Sequence, residues 1–240
     1  MKTVAIVLAA GSGKRMGTKV KKQYLALNDK PVLYYALKAF EDSFIDEIIL
    51  VTSSDDIPYV QENVVDKFHF SKIKKIVEGG KERYNSVYNG IMAIDRCDVE
   101  SDSTYIFIHD GARPMINQDI LARGLKAVVE YDACVIGMPS KDTVKIASED
   151  GFVSETPNRS LVWNIQTPQI FKLNLISEAY EYVVGHEEEF KTQGVNITDD
   201  AMVLETYSHH PVKLVEGSYE NIKVTTPEDM RILESLISAG

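Results

Sequence analysis

Five short apolar runs punctuate the first 140 residues of the chain: TVAIVLA (3–9), EIILVTS (47–53), KIKKIVE (72–78), TYIFIHD (104–110) and ACVIGMP (133–139). Near-continuous runs of this length, rich in Val and Ile, are the mark of strands covered on both faces. Segments of helical spacing separate them. In PVLYYALKAFED (31–42), Val32, Ala36, Leu37 and Phe40 recur on one helical face, with Pro31 suited to the first turn. Further helices are expected at about 56–67 and 81–95. Strands alternating with helices predict an α/β fold built on a mostly parallel central sheet flanked by helices. With 240 residues, 44% of them hydrophobic, the chain can bury one large core, so a single domain over 1–240 is expected.

The pattern changes after residue 139. TVKIA (143–147) and FVSET (152–156) flank SEDG, and Asp150-Gly151 is a turn signal, so this stretch predicts a β-hairpin. Too small to stand alone, it reads as an arm at about 139–165 that projects from the sheet and finds its cover in a homodimer partner. Helices near 173–188 and 199–207 follow, then short strands in PVKLVEG (211–217) and NIKVT (221–225). The last helix begins at TPEDMRILESLIS, with Thr226 as N-cap and Pro227 at the first helical position.

Charge narrows the function. The net charge of −10 disfavours nucleic acid and anionic membranes as partners. No stretch reaches the ~20 apolar residues that cross a bilayer, and the N-terminal run is read as a core strand, which predicts a cytoplasmic protein. Cys97 and Cys134 lack the spacing of a zinc site or a disulfide framework, and the five histidines form no metal-ligand motif. Against this acidic background, KRMGTKVKK (14–22) holds Lys14, Arg15, Lys19, Lys21 and Lys22 with no acid among them. Such a run can be a solvated loop. Placed after a glycine turn, it suits a small polyanion.

The turn itself, VLAAGSGKRMG (7–17), fits neither familiar phosphate template. A GxGxxG fingerprint needs a glycine three residues after Gly13, but Gly17 comes one residue late, and no acid follows at the required distance. A P-loop needs glycine five residues after Gly11, where Met16 stands. What remains is a glycine turn whose N–H groups can embrace phosphate oxygens, followed at once by side-chain cations.

LAAGSGKRMG with KQY (22–24) resembles the signature of sugar-type nucleotidyltransferases. With GGKERYNSV (79–87), HDGARP (109–114), KDTVK (141–145), QTPQIF (166–171), ITDDA (197–201) and VEGSYENIKVTTPEDM (215–230), it is similar to the 2-C-methyl-D-erythritol 4-phosphate cytidylyltransferase family over residues 4 to about 233. The resemblance implies a Rossmann-like sheet of the nucleotide-diphospho-sugar transferase type. The reaction it implies is attack of a polyol phosphate on the α-phosphorus of CTP, with magnesium on the triphosphate. A phosphate monoester is ionised near neutrality, so gathering cations, rather than supplying a base, is the main demand.

On the family pattern, Arg15, Lys22 and Lys223 serve the transition state, each worth ~2–4 kcal/mol. Ala9, Ala10, Gly11, Gly13, Gly79, Gly80, Arg83, Ser86 and Asp110 serve the nucleotide, with Gly80 and Ser86 at cytosine and Arg83 supporting the loop or the phosphates. Asp110, at the carboxyl end of its strand, works near the metal, the ribose or the substrate hydroxyls. Arg113, Thr143, Arg159, Thr167 and Thr198 serve the polyol phosphate, and Thr143 and Arg159, on the arm, can complete a neighbour's pocket. Asp199 and Asp200 read as helix-opening acids, and Trp163 as arm or interface packing.

Two other readings stand beside this one. Ribitol 5-phosphate cytidylyltransferases share the fold and most motifs; TPNRS (156–160) has their flavour, and Lys21 replaces a proline that commonly precedes KQ. A non-catalytic nucleotide-binding module would keep the fold but lose cations such as Arg15 or Lys22.

Overall fold

The computed structural model describes residues 1–11, 20–95 and 103–239; Gly13, Arg15 and Cys97 lie outside this set. Strand β1 (Lys2–Leu8) leads, through a small ribbon of β2 (Ala26–Leu27) and β3 (Lys30–Pro31), into α1 (Val32–Glu41). Strand β4 (Glu47–Thr52) is followed by α2 (Ile57–Val60), which continues as a π-helical stretch over Gln61–Asp66. Then come β5 (Ile73–Glu78), α3 (Arg83–Met92), β6 (Thr104–Asp110), α4 (Gln118–Tyr131) and β7 (Ala133–Pro139). The hairpin of β8 (Ile146–Ala147) and β9 (Val153–Glu155) precedes β10 (Trp163–Lys172), α5 (Leu173–Gly185), α6 (Glu187–Thr192) and α7 (Asp200–Ser208). Strand β11 (Lys213–Glu216) and α8 (Pro227–Ala239) complete the chain's described elements.

The central sheet has seven strands in the order β11-β7-β10-β6-β1-β4-β5. All neighbours run parallel except β10, which lies antiparallel to both β6 and β7. Parallel strands need covering helices, and the period-2 alternation of β1 supplies both faces. Ala5 and Val7 pack with Leu33, Leu37 and Phe40 of α1 and Ile120 and Val128 of α4. Val4 and Ile6 pack on the other face with Val87 and Ile91 of α3, Tyr180 of α5 and Leu204 of α7. A smaller cluster joins Leu27, Val32, Ala112, Val224 and Leu233, seating α8 beside the β2–β3 ribbon.

From β1 the chain moves outward to β4 and β5, then returns to the other side of β1 with β6. This reversal of direction opens a crevice between the carboxyl ends of β1 and β6, the place where open α/β sheets bind ligands. Leu8 pairs with Asp110 across it. The loops at this end are tied to neighbouring strands by Ala9 N–H to Val51 O (2.6 Å), Gly79 N–H to Thr52 O (2.7 Å) and Gly111 N–H to Leu8 O (2.8 Å).

Two of the expected elements take another form, and β10 and α4 were not expected. Residues 221–225 form no strand; they drape over the crevice, with Val224 N–H bonded to Ala112 O at 2.8 Å. Their alternation is real but serves two other surfaces, since Ile222 and Val224 pack in the cluster around α8 while Lys223 turns to Asp110. The helix expected at 173–188 breaks at His186 into α5 and α6. The hairpin forms where expected, with Gly151 at φ +86°, a conformation that glycine adopts without strain.

Candidate active site

Two cavities meet at the carboxyl end of β6. One, of about 410 Å³, is lined by Ala9, Ala10 and Gly11 after β1, by Lys22, and by Gly80, Arg83 and Ser86 at the start of α3. The other, of about 340 Å³, is lined by Arg113, Gln166, Thr167, Thr198 and Asp199. Asp110, Arg83 and Lys223 border both.

Asp110 is the centre of charge. Lys223 Nζ lies 2.7 Å from its Oδ2, Arg83 Nε 3.5 Å from Oδ1 and Arg113 Nε 3.8 Å from Oδ2. Burial alone would raise the carboxyl pKa, but Arg83, Lys223 and Arg113 outweigh it and hold the group far below the ordinary carboxylate range. The carboxylate in turn keeps three cations together at the rim of both cavities. Arg83 is oriented from behind by a fork on Asp200, Nη1 to Oδ1 at 2.7 Å and Nη2 to Oδ2 at 2.8 Å. Asp200 is fully buried and also accepts from the Tyr180 hydroxyl. Burial would lower the Arg83 pKa; Asp200 and Asp110 reverse that and hold it well above the ordinary value.

Lys22 sits on a single 3₁₀ turn, Lys22–Tyr24, and its Nζ donates to Val224 O at 2.8 Å, so the N-terminal loop and the 221–225 segment close on the same space. Gln23 Nε2 donates to Ala9 O (2.6 Å) and Gly11 O (3.1 Å), bracing the entry of the glycine loop. Lys21, which replaces the common proline, points away: its Nζ is 2.6 Å from both Ser53 Oγ and Asp56 Oδ2. Its cation therefore braces the loop rather than lining the cavity. Gly11 has open space where a Cβ would stand.

Gly79 and Gly80 precede α3, and Gly80 lines the larger cavity. A Cβ at Gly79 would fall 2.5 Å from the Ala10 Cβ, and one at Gly80 would strike Asn85. The two glycines let the loop pack against the protein itself. Ser86 Oγ accepts from Gly80 N–H (3.0 Å) and donates to Glu82 O (3.2 Å), which fixes the loop's shape.

Among the residues expected at the polyol phosphate, Arg113, Thr167 and Thr198 line the second cavity with Lys223. Thr143 and Arg159 do not line either cavity; both lie on the exposed arm, where Arg159 Nη1 bonds Lys141 O at 3.2 Å. Asp199 caps α7 by accepting from Met202 N–H at 3.0 Å, as its helix-opening role implies. Asp200 opens α7 as expected and is also the anchor of Arg83, a partnership between residues 117 apart that local pattern cannot show.

Three further residues emerge from the geometry. His109, inside the HDGARP motif, is fully buried between Arg113 O and Thr167 Oγ1, each at 3.1 Å. Asn221, also fully buried, donates from Nδ2 to Thr167 O (2.9 Å) and gives its carbonyl to Arg113 Nη1 (2.8 Å). Gln169 holds α7 through Asp199 Oδ2 (3.0 Å) and Ala201 N–H (2.8 Å). Their signal was motif membership alone, since each reads as an ordinary polar residue beside better-known neighbours.

Comparison with known proteins places this geometry. The family model described as 2-C-methyl-D-erythritol 4-phosphate cytidylyltransferase matches residues 3–239. A 2-C-methyl-D-erythritol 4-phosphate cytidylyltransferase of Lachnoclostridium phytofermentans is 48% identical over 98% of this chain and 96% of its own length. One from Lachnospira eligens is 51% identical over 95% of this chain and 96% of its own. The crystal structure of 4-diphosphocytidyl-2C-methyl-D-erythritol synthase from Anaerococcus prevotii superposes with a TM-score of 0.84 at 33% identity, covering 99% of this chain and 96% of that one. With a crevice of the same fold and a match along nearly its whole length, the chain belongs to the 2-C-methyl-D-erythritol 4-phosphate cytidylyltransferase family.

Proposed function

We propose that the protein transfers a cytidylyl group from CTP to 2-C-methyl-D-erythritol 4-phosphate, giving 4-diphosphocytidyl-2-C-methyl-D-erythritol and pyrophosphate. The observation that carries this reading is the meeting of two cavities across one carboxylate and its cations. The larger, beside the glycine loop, takes the nucleotide; the smaller takes the acceptor phosphate. The relatives' names support methylerythritol phosphate over ribitol phosphate as acceptor.

In this reading an acceptor phosphate oxygen attacks the α-phosphorus. A P–O bond forms there as the bond to the bridging oxygen breaks, and pyrophosphate leaves with the electron pair. The acceptor is already ionised, so no residue need remove a proton. Lys22, at the nucleotide cavity, and Lys223, at the border of both, offset the charge that builds on the equatorial oxygens. Arg15, outside the described residues, has the same role on the family pattern. Arg113 and Lys223 bind the acceptor phosphate, and Thr198 meets its hydroxyl side.

Magnesium enters, in this account, as a guest of the triphosphate. Among the described residues no three His, Cys, Asp or Glu side chains come together, and Asp110 already faces three cations. Two carboxylates or fewer suffice for Mg²⁺ when phosphate oxygens supply the rest. When bound, the ion neutralises charge on the nucleotide phosphates.

A second copy of the chain completes the proposal. The arm leaves Phe152, Val153 and Leu161 more than half exposed, and a two-stranded hairpin of this size is marginal alone. Covering these residues in a homodimer would bring Thr143 and Arg159 toward a neighbour's acceptor cavity. In this reading the enzyme works in the cytoplasm; no described helix is long and apolar enough to cross a membrane.

Pyrophosphate release tests the reading. Purified protein with magnesium and CTP is offered 2-C-methyl-D-erythritol 4-phosphate, ribitol 5-phosphate or glycerol phosphate. Methylerythritol phosphate is expected to give the highest kcat/KM. Preference for ribitol phosphate would replace the acceptor, and no turnover with any would leave a nucleotide-binding module.

A further inference from the structure

For a neutral ring, the hydrogen bonds around His109 fix where its proton sits. Its Nε2 lies 3.1 Å from the carbonyl oxygen of Arg113. A carbonyl can only accept, so Nε2 carries the proton. The ring is fully buried, with Phe40 edge-on at 5.2 Å, and burial pushes its pKa down to about 4. A neutral imidazole has one N–H, so Nδ1 is left with a lone pair. That lone pair faces Thr167 Oγ1 at 3.1 Å, and the hydroxyl must donate to it. Thr167 Oγ1 also accepts from Asp110 N–H at 3.1 Å. The hydroxyl proton and one lone pair are thus engaged, and one lone pair remains on the hydroxyl of Thr167, a residue that lines the acceptor cavity.

We propose that His109 is a positioning residue that sets the hydrogen-bond polarity of Thr167, so that Thr167 meets the acceptor substrate only by accepting from one of its hydroxyl groups. The inference rests on assigning the smaller cavity to the polyol phosphate. It makes the site selective for an acceptor with an O–H donor at that position. A deoxy analogue would leave the lone pair unmatched, and a fluorinated one would set acceptor against acceptor. The same relay joins the main chains of Asp110 and Arg113 to β10, so it holds the nucleotide and acceptor sides in one frame.

The tautomer is read directly from the imidazole ¹⁵N spectrum of full-length protein labelled at histidine. The His109 signals are identified by their loss in His109→Asn. A proton on Nε2 alone is expected; a proton on Nδ1, or on both nitrogens, would overturn the proposal. The functional arm uses methylerythritol phosphate with each hydroxyl in turn replaced by hydrogen or fluorine. In the wild type, one position is expected to lose roughly tenfold in kcat/KM, with the KM for CTP unchanged. His109→Asn keeps an acceptor oxygen near the Nδ1 position and should retain this discrimination. His109→Leu frees the Thr167 proton to turn toward the cavity and should lose it. A purely structural role would slow all the analogues alike, and an unchanged ratio in His109→Leu would refute the assignment. If the wild type turns over no acceptor, the cavity assignment fails instead, and the tautomer measurement still stands on its own.

Discussion

Lys22 makes the plainest prediction at the scale of single residues. It stands beside the glycine loop on a turn braced by Gln23, and its ammonium group lines the larger cavity. Lys22→Ala should lower kcat by about 10²–10³, the cost of removing one preorganised charge donor, while circular dichroism stays native. A near-normal kcat would remove Lys22 from the transition state. The motif residues Lys22, Arg83, Asp110, Arg113 and Lys223 were legible in sequence through the family resemblance, and the fold brings them to one crevice. What surrounds them was not. Gly79 and Gly80 suggested an approach to a base; the fold adds a packing reason for them, since a Cβ at either would clash with Ala10 or Asn85. The Arg83–Asp200 fork, the His109 relay and the Asn221 clamp join residues far apart in the chain, and only the fold brings them into contact.

At the scale of elements, α8 depends on a cap the sequence half shows. Thr226 precedes Pro227 as expected, but the capping acceptor is Asp229: its Oδ2 takes bonds from Thr225 N–H, Thr226 N–H (each 2.7 Å) and Thr225 Oγ1 (2.8 Å). Burial would raise the Asp229 pKa; the bonds from Thr225 and Thr226 outweigh it and hold the group below its ordinary 3.8. A carboxyl with a depressed folded-state pKa stabilises the fold in full above its unfolded value and loses that contribution as pH falls through the folded one. Asp229→Ala should therefore lower stability by about 1 kcal/mol near neutrality, and the gap from wild type should shrink in denaturant titrations at about pH 3. An equal gap at both pH values would refute the cap. The five apolar runs all became sheet strands. Strand β10 was hidden because Gln166, Thr167 and Gln169 interrupt its pattern, and those side chains are buried by the site's own hydrogen bonds. Helix α4 carries Ile120, Leu121, Gly124 and Val128 at helical spacing, a signal as clear as that of α1 that a strand-by-strand reading passes over.

The whole molecule is acidic, at −10, and yet it gathers Lys22, Arg83, Arg113 and Lys223 around one crevice. That contrast steers small anions to the site while the rest of the surface repels large ones. The arm adds a consequence at this scale. Sedimentation should report a dimer, and charge placed at Phe152 and Leu161 (Phe152→Asp with Leu161→Asp) should shift it to monomer; a wild-type monomer would contradict the proposed role of the hairpin. The central claim is that two repelling phosphorylated molecules meet across Asp110, the nucleotide beside Gly11 and Lys22 and the acceptor beside Arg113 and Thr167. A crystal structure with CTP and methylerythritol phosphate tests it most directly. The account predicts the triphosphate along the glycine loop with the acceptor phosphate between Arg113 and Lys223. A triphosphate bound anywhere else would contradict it.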